Sequence, residues 1–366
     1  MIRSFIILLA SMVCFSAGAQ VVVDNTDDTP LPLATVFNQN GTIIGMTDEN
    51  GNMPKLTNPL FPLTIRYMGY DPLVVNTLNA DSLKMTASTY DLPEITIQPV
   101  DRPVTRMIVY VRQYASMTTS KDTIDMFADY MADLRWARKD VKKFKRRDGR
   151  LTRTSPMRAY VHMKSPTTDS IGFPAREEFE TLSWSDLIQV PTDTVFEPRV
   201  ARNKEQQTDT VVGKSGYAVI NFSTPTTFCV KTDVIANTDD HKLSFGLLKL
   251  LGFNVEFSTL TEQTVFPSDS TGVHLPESLA SYSMTLEATG KGRWIKKLLG
   301  SKSNVDIKCY YEVYPVDIEH LTVEQWREIK KDPPQDEFTI PTTAPALAPE
   351  VESQIERACK AKGVKW

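Results

Sequence analysis

The sequence predicts a mainly β protein in two parts, a small β-sandwich followed by an α+β unit built on a curved antiparallel sheet. Three observations predict this class. Short strand-like runs separated by Asn, Asp and Gly turns fill the chain up to about Pro99. Longer period-two alternations recur between residues 104 and 332. Helical spacing with a clear start signal appears only near the C-terminal end. The composition, 41% hydrophobic and 23% charged, is that of an ordinary globular chain, and 366 residues leave room for two or three domains. A net charge of −4 gives no overall field favouring nucleic acid, so any polyanion role must rest on a local patch.

The first segment, residues 1–19, reads as an export signal. Arg3 supplies the positive start, Phe5 to Phe15 is an apolar run too short for a membrane span, and Ala17-Gly18-Ala19 is a small-residue cleavage motif ending before Gln20. Val13 before Cys14 is a poor match for lipid attachment. Cleavage leaves Cys229, Cys309 and Cys359, an odd and widely spaced set that is no disulfide framework. If one pair forms, Cys229–Cys309 is favoured because both lie in strand-like runs; plain burial of each thiol is the alternative. No later apolar run reaches membrane-helix length, so the mature chain is expected to be soluble or peripheral.

Residues 20–99 read as the sandwich. Val21-Val22-Val23 opens a strand, Ala34 to Phe37 continues, and Asn40-Gly41 signals a type I′ hairpin. Thr42 to Met46 follows, then a turn at Asp48–Gly51, then strands at Leu63–Tyr67, Leu73–Val75 and Leu83–Met85. The order of Val22–Asp24, Pro30–Val36, Gly45–Asn52 and Arg66–Tyr70 resembles the carboxypeptidase regulatory-like domain. That resemblance covers about a fifth of the chain and implies a transthyretin-like sandwich. Met53 stands where the family usually has Phe, and the usual opening Gly is absent. The run Leu92–Ile97 resembles the segment that leads from such modules into larger envelope proteins of Gram-negative bacteria. Too little chain remains for a receptor barrel.

Residues 104–332 read as the sheet unit. Ile108–Val111, Tyr217–Phe222, Phe253–Phe257, Ser281–Ala288 and Asp306–Val316 are strand-like. In the last run Ile307, Cys309, Tyr311 and Val313 share one face and Lys308, Tyr310, Glu312 and Tyr314 the other, which predicts an antiparallel sheet with one wet face. Thr123 to Trp136 carries Ile124, Phe127, Met131 and Leu134 at helical spacing but is rich in β formers, leaving helix and strand open. Thr322 with Gln325 makes a capping box ahead of a helix at Leu321–Lys331. Residues 333–366 read as a Pro-rich linker, Pro333 to Pro349, and a short amphipathic helix with Val351, Ile355 and Ala358 on one face.

The chemistry-bearing motifs do not assemble. His274-x-x-Glu277 imitates the zinc-ligand pair of metallocarboxypeptidases, but the only later histidine, His320, lies too near to be that family's third ligand, and Pro276 marks a loop. Gly213-Lys214-Ser215 lacks the leading Gly of a phosphate loop, with Thr at position 208. No catalytic, cofactor or metal residue is therefore assigned, and no enzyme activity is expected. Two basic stretches with interleaved aromatics fit an anionic membrane or lipopolysaccharide surface. They comprise Arg135, Trp136, Lys142, Lys143, Lys145, Arg146 and Arg147, then Arg293, Trp294, Lys296 and Lys297. A solvated hairpin tip explains the same residues. The expected function is a non-catalytic exported envelope protein, periplasmic or outer-membrane-associated, that binds a protein partner or an envelope surface and not nucleic acid. Alternatives are a ligand or lipid carrier using the concave sheet face and, less favoured, a zinc peptidase.

Overall fold

The computed structural model describes residues 20–56, 60–80, 82–89, 101–138, 141, 144, 150–188, 202–203, 208–212, 218–223, 227–235, 253–267, 276–292, 296 and 304–364. Residues 1–19, read as an export signal in the sequence, and residues 90–100, which include the Leu92–Ile97 run, lie outside them.

The fold is mainly β. In the N-terminal module β1 (Val21–Asp24) pairs in parallel with β6 (Ser82–Met85), while β3 (Ile43–Met46), β2 (Thr35–Phe37), β4 (Leu63–Arg66) and β5 (Leu73–Val75) form an antiparallel sheet in that order. Val22, Leu83 and Met85 from the first sheet meet Val36, Leu63, Ile65 and Val75 from the second, so two sheets close over one apolar core as a sandwich does. The Asp48 turn forms as the sequence indicates: Asp48 Oδ1 accepts from the N–H of Asn50 and Asn52, both at 2.9 Å, and Gly51 takes φ 75°. The Asn40-Gly41 turn differs from expectation. Only Gly41 has a positive φ (78°), because the loop is longer: the Asn38 side chain accepts from Asn40 and Thr42, replacing a two-residue type I′ turn.

The rest is dominated by one antiparallel sheet with twelve strands among the described residues. Its long members are β7 (Val104–Thr118), β8 (Thr123–Ala137), β16 (Phe253–Pro267), β17 (Ser281–Gly292) and β18 (Val305–Leu321). The shorter ones are β9 (Thr152–Arg153), β10 (Arg158–Lys164), β11 (Asp169–Gly172), β12 (Arg202–Asn203), β13 (Thr208–Val212), β14 (Ala218–Ser223) and β15 (Thr227–Asp233). The order is β11-β10-β8-β7-β18-β17-β16-β15-β14-β13-β12, with β9 beside β8. Bulges at Phe257/Thr259 and Pro315/Asp317 break the register, and such irregularities bend and twist a sheet. Thr123–Ala137 is a strand: β7 pairs with it over its whole length, and cross-strand bonding overrides the helical spacing of four apolar residues. Of the helices, α1 (Arg176–Leu182) precedes a short 3-10 turn, and α2 (Val323–Lys331) opens on the expected cap, with Thr322 Oγ1 accepting from Gln325 N at 3.2 Å. The last, α3 (Pro349–Lys362), begins with Pro at its first turn and ends on left-handed Gly363. No helix among the described residues is long and apolar enough to cross a membrane.

Period-two alternation gives the sheet two faces. The inner face carries Met107, Val109, Val111, Met126, Tyr130, Leu134, Met284, Leu286, Ile307, Tyr311 and Val313, joined by Leu182 at the end of α1 and by Trp184 and Ile188 after it. The outer face carries Tyr110, Arg112, Tyr114, Phe127, Asp129, Tyr310, Glu312 and Tyr314. The expectation of a wet outer face fails, because all eight of these residues are buried. The N-terminal module and the C-terminal segment cover them. Phe37 and Ile43 of the module, Tyr114, Phe127, Tyr160 and Tyr310 of the sheet, and Val351, Ile355 and Ala358 of α3 form one cluster. Residues 333–348 are likewise no free linker: Ala344 and Phe338 pack with Tyr110, Met131 and Tyr314, and Arg112 Nη1 donates to Pro345 O at 2.6 Å. Cys229 packs on the outer face beside Met68, whereas Cys309 belongs to the inner face, with two strands between them. The sheet itself separates the favoured pair, and both thiols are free.

Candidate binding site

Where the module, the sheet and the C-terminal segment meet, a cleft of about 490 Å³ opens on the outer face. That volume lies in the range of small-molecule sites. One wall is the end of β4 and its turn, Arg66 to Asp71, with Pro72 just before β5 and Val74 within it. The floor is the outer row of β18, Tyr310, Glu312 and Tyr314, and the far wall runs from Thr342 to Glu350. The local sequence explains each wall. Alternation along β4 and β18 turns Arg66 and Glu312 toward the interface between module and sheet. Gly69 (φ 88°) then lets the chain reverse after Met68.

Arg66 and Glu312 form the ion pair of this interface. Arg66 Nε lies 2.9 Å from Glu312 Oε1, with the side chains 7% and 1% exposed, and Nη1 donates to Tyr114 Oη at 3.0 Å. Nη2 is buried without a hydrogen-bond partner. On the far side of Glu312, Arg112 Nη1 stands 3.8 Å from Oε2. Burial opposes the Arg66 charge, but Glu312 and the surrounding tyrosines outweigh it and move its pKa above the ordinary value. Burial, with the Glu312 charge adding to it and Arg66 opposing, pushes the Tyr114, Tyr310 and Tyr314 phenols up, so they stay neutral near pH 7.

Further along the sheet the same face carries two more arginine–carboxylate centres. Arg158 grips Asp129 with two nitrogens, Nε at 3.0 Å from Oδ1 and Nη2 on Oδ2, and Tyr110 donates to Oδ2 at 2.6 Å. Arg106 pairs with Asp133 at 2.8 Å, Glu319 at 3.1 Å and Asp336 of the C-terminal segment.

The sequence-derived surface set is not gathered here. Arg135 is buried with its Nε 3.3 Å from Asp133 Oδ1, so it belongs to the interior network and offers no anionic surface contact. The reason is its place on the outer row of β8, with Asp129 and Asp133. Trp136 packs against the inner cluster and is half-buried, while Lys296 is exposed. Lys142, Lys143, Lys145, Arg146, Arg147, Arg293, Trp294 and Lys297 lie outside the described residues, as does His274. Among the described residues, no group of three or more His, Cys, Asp or Glu could hold a metal ion. Sequence reading missed Arg66, Arg112, Asp129, Arg158 and Glu312. The available signal was charge inside otherwise apolar strands: Asp125, Asp129 and Asp133 recur on one face of β8, with Arg112 of β7 directly opposite Asp129 and Arg106 reaching Asp133 from a neighbouring position.

No family model matches the chain, and no curated protein matches it. Among solved structures it is similar to one titled lipid–protein interactions in lipovitellin. The identity is 10%, the match covers 61% of this chain and 26% of that one, and the TM-score is 0.30. At that score the likeness carries no argument.

Proposed function

We propose that the protein is a non-catalytic binding protein of the cell envelope, exported by its first 19 residues, which receives a ligand or partner between its sandwich and its long sheet. The observation that carries this reading is the cleft itself, walled by three parts of the chain that are far apart in sequence. A surface built only to hold module to sheet would close over its contacts; here the contact stays open beside an ion pair buried in its floor. The leader pattern and the carboxypeptidase regulatory-like order of Val22–Tyr70 support an envelope setting. The cleft also favours binding on the outer face over carriage on the inner face, whose apolar rows are buried.

The test is cross-linking in the native cell, followed by purification from envelope fractions and mass spectrometry of whatever is attached. One species recovered at a fixed ratio, and lost when Thr343→Trp fills the cleft, is the expected result. Recovery that Thr343→Trp leaves unchanged would place binding elsewhere and sink the reading.

A further inference from the structure

Resting on that reading, we propose that the cleft takes an amphiphile with one anionic head, a carboxylate or a phosphate monoester, seated against Arg66 with its apolar body along the aromatic wall. The unmet donor is Arg66 Nη2, on a side chain 7% exposed whose other two nitrogens are committed to Glu312 and Tyr114. A buried N–H without an acceptor costs about 1–3 kcal/mol, more when the group is charged, and Arg66 lines the cleft, so a ligand oxygen that reaches Nη2 is favoured there. Charge decides which oxygen. Around Glu312 stand two guanidiniums, Arg66 and Arg112, against one carboxylate. The tyrosines around them stay neutral. The next carboxylate, Asp129, is already held by both Arg158 nitrogens and by Tyr110. An anion balances the floor where a neutral carbonyl does not.

The remaining lining suits an apolar body. Tyr67, Met68 and Leu347 on the walls and Tyr310 and Tyr314 on the floor supply it. Val74, one of the three exposed large hydrophobics among the described residues, lines the cleft. Two carboxylates also line it, Asp71 and Glu350, both exposed. Solvent and salt screen charges in such positions, so they weaken long-range attraction of an anion more than its contact with Arg66.

Isothermal calorimetry on the chain from Gln20 tests this with octanoate, octyl phosphate, octan-1-ol and octylamine. Octanoate or octyl phosphate should bind one to one, about tenfold or more tighter than the alcohol, the gain expected of a charged hydrogen bond. Which of the two binds tighter separates a carboxylate source from a phosphate source. Arg66→Gln, which removes the donor and leaves Arg112 facing Glu312 in charge balance, should abolish the preference for the anion. Should that variant not fold, Val74→Lys and Val74→Asp at the exposed rim must tighten and weaken octanoate binding respectively. Alcohol binding as tightly as octanoate, octylamine binding best, or no binding of either anion overturns the anionic class. In the first two cases the cleft still binds, so the broader reading survives and only the head group is wrong.

Discussion

Lys231 shows how far the interface between module and sheet departs from water. Its ammonium donates to Pro32 O at 3.2 Å under the module, and burial pushes its pKa down to about 8 against the pull of Asp233 and Glu49. In the unfolded chain the same group titrates near 10.5. Between those values the unfolded state holds the extra proton, so stability rises with pH across that window. Glu262 has the opposite sign. Burial lifts it to about 7 from 4.5, with the Tyr282 phenol pulling the other way, so between 4.5 and 7 the folded state holds the extra proton and stability falls as pH rises. Urea midpoints measured from pH 4.5 to 10.5 should trace both limbs. Lys231→Met should flatten the alkaline limb and Glu262→Gln the acid one; limbs that survive these changes would refute the assignments.

Among the elements, those with local signals were legible and those decided by distant contacts were not. The cap at Thr322, the helix from Pro349 and the strands of the sandwich follow from residues within a few positions of one another. The identity of β8 does not, since Ile124, Phe127, Met131 and Leu134 satisfy a helix equally well until β7 is beside them. The two rows of β18 were readable from alternation, but what covers the second row was not. Tyr310, Glu312 and Tyr314 look like a solvated face in sequence because tyrosine and glutamate tolerate water; only the arrival of Arg66 and Phe37 from the module makes them interior. The helix α3 tests that packing. A Cβ on Gly41 would stand 2.6 Å from Val351 Cγ2, at a φ of 78° that already disfavours side chains. Gly41→Ala should therefore cost about 1 kcal/mol or more. Ile355→Ala, at a fully buried position, should cost about 2–4 kcal/mol, and thermal melts of both variants check the ranking.

For the whole molecule, ion pairs rooted in buried arginines mean that module, sheet and C-terminal segment do not stand as independent bodies. Arg66–Glu312 joins module to sheet, while Arg106–Asp336 and Arg158–Glu352 join sheet to C-terminal segment. Leaving one partner buried alone is expensive, so Arg158→Met, which strands Asp129, should cost about 3–5 kcal/mol. Unfolding followed by near-ultraviolet dichroism and by hydrogen exchange in the module should give a single coincident transition. Two separated transitions would show that the sandwich holds without the sheet.

The central pairing of the sheet has a kinetic consequence. As the chain emerges, β7 finds β8 almost at once across a short turn, but its other edge waits for β18, whose Glu319 meets Arg106 from 213 residues away. Closing so long a loop is entropically slow, and until it closes an extended edge of β7 stands open to any other strand. Refolding should accordingly be slow and concentration-sensitive, with aggregation competing against the last pairing to form. The segment to shield over that interval is β7.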